Sequence, residues 1–337
     1  MRELTAIEAA IIKRLGLPAN AIEIAPEDCT CGLAGCTEHQ SWGDRVSDLV
    51  FADSNWSPEL AQALDETVAF LDDRLHQEPW QILPGDPNSN VILHVPHGGL
   101  FIPEREKGTF ELEGDDLAAE ARLMADLGTD ILAGKVYESS NIKPWVLINR
   151  LSRLVVDPER FTDENEEMNA VGMGFAYTRT SDQRKLREVS QVDSRRLWTT
   201  YFEPYSKAIQ QLTSQVLSDR GSVTIIDLHS YAVEPLPYEL HKTDKRPGLC
   251  IGTDAFHTSS GLLGAAKSAF ESFTSLALNE PFSGTYVPLE FFGRDARVQS
   301  LMLELRKDTY GFGASATDEF EHTIGALVQF IRELNEV

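Results

Sequence analysis

"VTIIDLHSYAVEP", residues 223–235, carries the apolar residues Val223, Ile225, Ile226 and Leu228 together with three chemically capable side chains, Asp227, His229 and Tyr231. Short runs rich in Val, Ile and Leu read as buried strands. Side chains alternate along a strand, which puts Asp227, His229 and Tyr231 on one face and Ser230 on the other. A histidine closing an apolar strand is either a hydrogen-bonded core residue or a ligand, and the rest of the chain must decide between them.

Other short apolar runs are "VILHV" at 91–95, "PWVLINR" at 144–150, "GLCIGT" at 248–253 and "SLMLELR" at 300–306. Helical patterns alternate with them, around 115–134, 184–219, 259–278 and 317–335. This alternation predicts an α/β fold whose mixed, mostly parallel twisted sheet is flanked by helices. Sheets of that kind bind ligands at the carboxyl ends of their strands.

Before residue 86 the pattern is different. Leu4 to Leu15 has helical spacing ended by "LPAN", and "SPELAQALDETVAFLDDRLHQ" reads as a second helix with Ser57 as N-cap and Leu60, Leu64, Val68 and Leu71 in one stripe. "EPWQILPGDPNSN", with three prolines and a glycine, marks a boundary. The expected organisation is a helical appendage over 1–86 with a cysteine loop, followed by the sheet-bearing domain over 87–337.

The 337 residues are 42% hydrophobic and 25% charged, ordinary for a globular protein with a large core. A formal net charge of −23 repels phosphate backbones and anionic membranes, so neither nucleic acid nor a membrane is an expected partner. The N-terminus lacks the uninterrupted apolar stretch of a signal peptide, and no segment suits a membrane span, so the cytoplasm is the expected location. Three of the four cysteines, Cys29, Cys31 and Cys36, stand close to His39. They form either a second, structural zinc site or a loop of reduced, non-ligating thiols.

The chemistry gathers at strand ends. His97 follows "VILHV" in the turn "PHGGLFIP", Asp227 and His229 close the 223–229 run, and Glu304 lies in "LELR". Each has a bland reading alone. Imidazoles and carboxylates from separate strand ends meeting in one crevice are what a catalytic metal site with an open position requires.

"TIIDLHSY" and "LMLELRKDTYGF" resemble the two late motifs of zinc carboxypeptidases, in which the histidine binds zinc and the glutamate is the general base. A closer resemblance, over roughly residues 91–315, is to the N-formylglutamate amidohydrolases. It rests on "PHGGLFIP", "DLGTDILAGKVY", "INRLSRLVVDPERF", "EPYSKAIQQL", "IIDLHSY", "CIGTD", "PFSGTYV" and "LMLELRKDTYG", met in that order. The resemblance implies a zinc-carboxypeptidase or phosphorylase/hydrolase-like fold. It also implies zinc-dependent hydrolysis of the amide of an N-formyl or N-acyl amino acid. His97 and His229 are its implied ligands. Where carboxypeptidases carry a glutamate ligand this chain has Leu100, so the third ligand falls to Asp126, with Asp130 and Glu104 as alternatives. Glu304 is the implied base, Arg153 polarises the carbonyl, and Arg160 and Tyr286 bind substrate. The family pattern "SR-x-x-x-D-x-N-R" is kept at Ser152, Arg153, Asp157 and Arg160, while Glu159 replaces the asparagine. A carboxypeptidase-like peptidase and a catalytically lapsed binding protein are the competing expectations.

Overall fold

The computed structural model describes residues 79–336, apart from Asn165, His241, Lys242, Asp244 and 312–317. The expected N-terminal helices and the cysteine loop with Cys29, Cys31, Cys36 and His39 lie outside the described residues. Seven strands form one sheet: β1 (Trp80–Leu83), β2 (Val91–Val95), β3 (Trp145–Asn149), β4 (Val223–Tyr231), β5 (Leu249–Gly252), β6 (Leu276–Leu278) and β7 (Val298–Arg306). Their order is β1-β3-β2-β4-β7-β5-β6. The β3–β2, β2–β4, β4–β7 and β5–β6 pairs are parallel, whereas β1–β3 and β5–β7 are antiparallel. The mixed, mostly parallel sheet is therefore present.

All five residues of β2 and all nine of β4 are buried, as central strands with both faces covered must be. The helices are α1 (Glu104–Lys107), α2 (Gly114–Met124), α3 (Thr129–Ser139), α4 (Gln191–Leu197), α5 (Glu203–Arg220), α6 (Ser260–Phe270) and α7 (Asp318–Asn335). Tyr205, Ile209, Leu212 and Val216 of α5 pack on Ile92, Leu147, Val223 and Ile225. Each such aliphatic burial contributes about 1.5–3 kcal/mol. A second cluster joins Leu117, Ala121 and Met124 of α2 to Leu154, Val155, Met173 and Tyr177 in the irregular chain after β3. No helix among the described residues is long and apolar enough to cross a membrane.

The structure departs from the sequence expectations in four places. The proline-rich segment read as a boundary contributes β1, an edge strand in a unit that begins at Pro79, so the sheet starts upstream of residue 86. The helix expected over 115–134 is broken into α2 and α3, because Ala125 is extended, Gly128 is left-handed (φ 82°), and the Asp126 N–H donates to the His97 carbonyl at 2.9 Å. The helix expected over 184–219 begins only at Gln191, where Ser190 and Asp193 form a reciprocal capping box. It then passes through a π turn, Trp198–Phe202, into α5. The helix expected to reach 278 stops at Phe270, and Leu276–Leu278 becomes β6.

Candidate active site

Because β2, β4 and β7 run in parallel, their carboxyl ends open on the same side. Register then fixes the neighbours: His94 of β2 lies opposite Asp227 of β4, and His229 of β4 lies opposite Glu304 of β7. Just beyond β2 the chain turns at Gly98 and Gly99. A Cβ on Gly99 would stand 2.2 Å from the Arg150 carbonyl carbon, so glycine is what lets the turn pass beside the end of β3. The Phe101 N–H seals the crossing by donating to the Arg150 carbonyl at 3.1 Å.

This turn aims His97 at His229. Their Nδ1 atoms are 3.1 Å apart, His229 Nδ1 is 3.0 Å from Asp126 Oδ2, and His97 Nδ1 is 3.7 Å from the same oxygen. Tetrahedral zinc with bonds of roughly 2.0–2.1 Å sets neighbouring ligand atoms about 3.3 Å apart. The three buried atoms therefore have the spacing and the nitrogen and oxygen composition of a three-ligand site. Asp126 sits in the break between α2 and α3, not within a helix as the sequence suggested. Of the alternatives, Asp130 is buried in the first turn of α3 and is not among the residues grouped here. Glu104 is exposed and paired with Lys107 at 2.7 Å.

Behind His97, Asp157 Oδ1 accepts from Nε2 at 2.8 Å, which leaves the lone pair on Nδ1 facing His229 and Asp126. The other oxygen of Asp157 accepts from Arg153 Nη2 and from the Tyr177 hydroxyl, each at 2.7 Å, and lies 3.3 Å from Arg160 Nε. Burial pushes the Asp157 carboxyl up, but His97, Arg153 and Arg160 outweigh it and hold it well below the usual range. Burial, helped by the Arg153 charge, lowers His97 to about 4, so its imidazole is neutral and free to ligate. His229 goes the other way: burial lowers it, yet Glu159, Asp227 and Asp126 raise it well above the ordinary histidine value. Its proton occupies a place where three carboxylates call for positive charge.

Glu304 is pushed up to about 8, chiefly by burial, and its Oε2 is buried without a hydrogen-bond partner. Arg153 is held by Asp157 and by the Tyr177 hydroxyl (2.9 Å from Nε), leaving Nη1 directed toward Asp126 Oδ1 at 4.0 Å. Arg160 rests on Asp157. The Tyr286 ring packs 4.9 Å from that of His94, and its backbone N–H donates to Asp227 Oδ2 at 3.1 Å. Four residues that sequence reasoning gave no role belong to the site: His94, Asp157, Tyr177 and Glu159. Glu159 Oε2 lies 3.2 Å from His229 Nε2. The signal for it was visible as the departure from the asparagine pattern, whereas His94 looked like one more residue of an apolar strand.

Fold and site together define an α/β protein with a buried cluster of imidazoles and carboxylates, spaced as metal ligands are, at the carboxyl ends of a mixed sheet. The N-formylglutamate amidohydrolase profile matches residues 89–311, well over half of the chain. The chain belongs to the N-formylglutamate amidohydrolase family and, with it, to the hydrolases. No curated protein sequence matches it. Among solved structures, an N-formylglutamate amidohydrolase from Ralstonia eutropha is similar at 19% identity, with 77% of this chain and 97% of that one covered and a TM-score of 0.65. A gene product of Agrobacterium tumefaciens is similar at 17% identity, with 77% and 94% covered and a TM-score of 0.54. At these identities the likeness speaks for the fold.

Proposed function

We propose that this protein is a zinc-dependent amidohydrolase that cleaves the amide of an N-formyl or N-acyl amino acid, releasing the acid and the free amine. The observation that carries this reading is the triangle of His97 Nδ1, His229 Nδ1 and Asp126 Oδ2, with edges of 3.1, 3.0 and 3.7 Å. Those three residues would hold the ion. Bound there, a divalent cation supplies Lewis acidity, which polarises a carbonyl, acidifies water and favours the ionised form of Glu304.

The chain's own groups do the rest. Glu304 takes a proton from the attacking water and delivers it to the leaving nitrogen as the C–N bond breaks. Arg153, steadied by Asp157 and Tyr177, turns Nη1 to the oxygen on which negative charge develops. Arg160 meets the substrate carboxylate in two-point geometry, and Tyr286 closes the wall beside it. Asp157 keeps His97 in the tautomer that ligates. Leu100 in place of the carboxypeptidase glutamate favours this reading over a peptidase on the same scaffold. The charge of −23 disfavours an anionic substrate only mildly, because Arg153 and Arg160 act within a Debye length of about 8 Å and outweigh a distant field; a small-molecule substrate met in the cytoplasm belongs to the same reading. In the same reading, residues before the sheet form an appendage of their own, and Cys29, Cys31, Cys36 and His39 take a structural zinc.

The test is metal content and hydrolysis together. Wild type should bind zinc and release formate from N-formylglutamate. Asp126→Asn should lose the catalytic zinc, and Glu304→Gln should keep it while kcat falls by about a hundred- to ten-thousand-fold. A wild-type protein that takes up no metal, or a Glu304→Gln variant of unchanged rate, refutes the mechanism.

A further inference from the structure

A second cluster lies behind the His229 ring, on the side away from Asp126. His94 Nδ1 is 2.9 Å from Asp227 Oδ1 and 3.5 Å from Glu159 Oε1, and ligand atoms of all three residues fall within 4.8 Å of one another. His94 and Asp227 are fully buried or nearly so, and the Glu159 side chain is 12% exposed. Both inner members are oriented from behind. The Tyr205 hydroxyl, 2.8 Å from His94 Nε2, can accept that N–H and leave the Nδ1 lone pair facing the cluster. The Tyr286 N–H takes up Asp227 Oδ2 and leaves Oδ1 facing it as well.

Hydrogen bonding within the cluster does not account for it. A His94–Asp227 pair satisfies those two residues but leaves Glu159 Oε1 buried without a partner, next to a second carboxylate. His229 adds an independent sign. Its side chain is 4% exposed, and its Nε2 lies 3.2 Å from both Glu159 Oε2 and Asp227 Oδ1. The carboxylates of Asp126, Asp227 and Glu159 all face this one imidazole, which offsets at most one of their charges.

We propose that His94 Nδ1, Asp227 Oδ1 and the Glu159 carboxylate form a second divalent-cation site, distinct from the catalytic triad and separated from it by the His229 ring. One nitrogen and two carboxylates suit zinc or manganese. Glu159 supplies the second anionic ligand. The ion offsets the charge behind His229 and fixes the ring from its rear.

The experiment is a zinc count on the full chain, stripped with chelator and re-equilibrated with zinc, together with anomalous diffraction at the zinc absorption edge. Two peaks are expected in the pocket, one bonded to His97, Asp126 and His229 and one to His94, Asp227 and Glu159. Glu159→Asn should bind one equivalent fewer than wild type and keep the triad peak; His94→Gln should do the same. A single peak at the triad in zinc-saturated wild-type crystals, which requires no variant to fold, overturns the proposal. So does a Glu159→Asn protein with an unchanged zinc count. A peak beside His94 with none at the triad would sink the catalytic-metal reading and leave the second site standing.

Discussion

Glu304 shares a rung of the sheet with His229, and its burial raises its pKa to about 8. A base works only when deprotonated, so a raised value means activity is lost as pH falls through it. With a cation bound nearby the midpoint moves down. The kcat/KM of the zinc-loaded enzyme should therefore fall on acidification with a midpoint between about 5 and about 8, and a profile flat over that range would remove Glu304 from the base role. His97, His229 and Glu304 were legible in the sequence because each follows or closes an apolar run. Asp126 was legible only through family resemblance, and Glu159 only as a deviation. His94 was not legible, since what makes it part of the site is contact with Asp227 and Tyr205, each more than a hundred residues away.

At the level of elements, the turn after β2 is the most constrained piece near the cluster. Gly99→Ala would drive a Cβ into the Arg150 backbone, and relief requires the turn bearing His97 to move. Overpacking of this kind costs about 1–3 kcal/mol, and in a domain of this size that lowers Tm by roughly 2–4 °C per kcal/mol. A thermal melt should register the drop, and zinc affinity should weaken with it; an unchanged melt and unchanged affinity would mean the turn is not the positioning device described. Strands were easier to read than helices here. β2, β3, β4, β5 and β7 each announce themselves as a short run rich in Val, Ile and Leu, whereas the break between α2 and α3 is held in part by a tertiary hydrogen bond, Asp126 N–H to His97 carbonyl, that no periodicity records. The three-residue β6 carries too short a pattern to stand out.

For the molecule as a whole, every residue placed in the site lies between His94 and Glu304, inside the unit that begins at Pro79. A chain starting at Pro79 should accordingly fold and hydrolyse N-formyl substrates within about twofold of the full-length rate, since a domain carries its own core. Far-UV circular dichroism and kcat measure this. A truncated chain that is folded but inactive would assign the first 78 residues a part in the reaction.

Pairing of β4 with β7 over nine residues each carries one more implication. Neighbouring strands sit about 4.8 Å apart whatever the loops around them do. The spacing between the Glu304 and His229 backbones is thus inherited from the lattice of the sheet, and mutation elsewhere cannot easily detune it. The 232–240 segment, which carries none of the residues placed in the site, is free to diverge, because the spacing most sensitive to distance is not its to disturb.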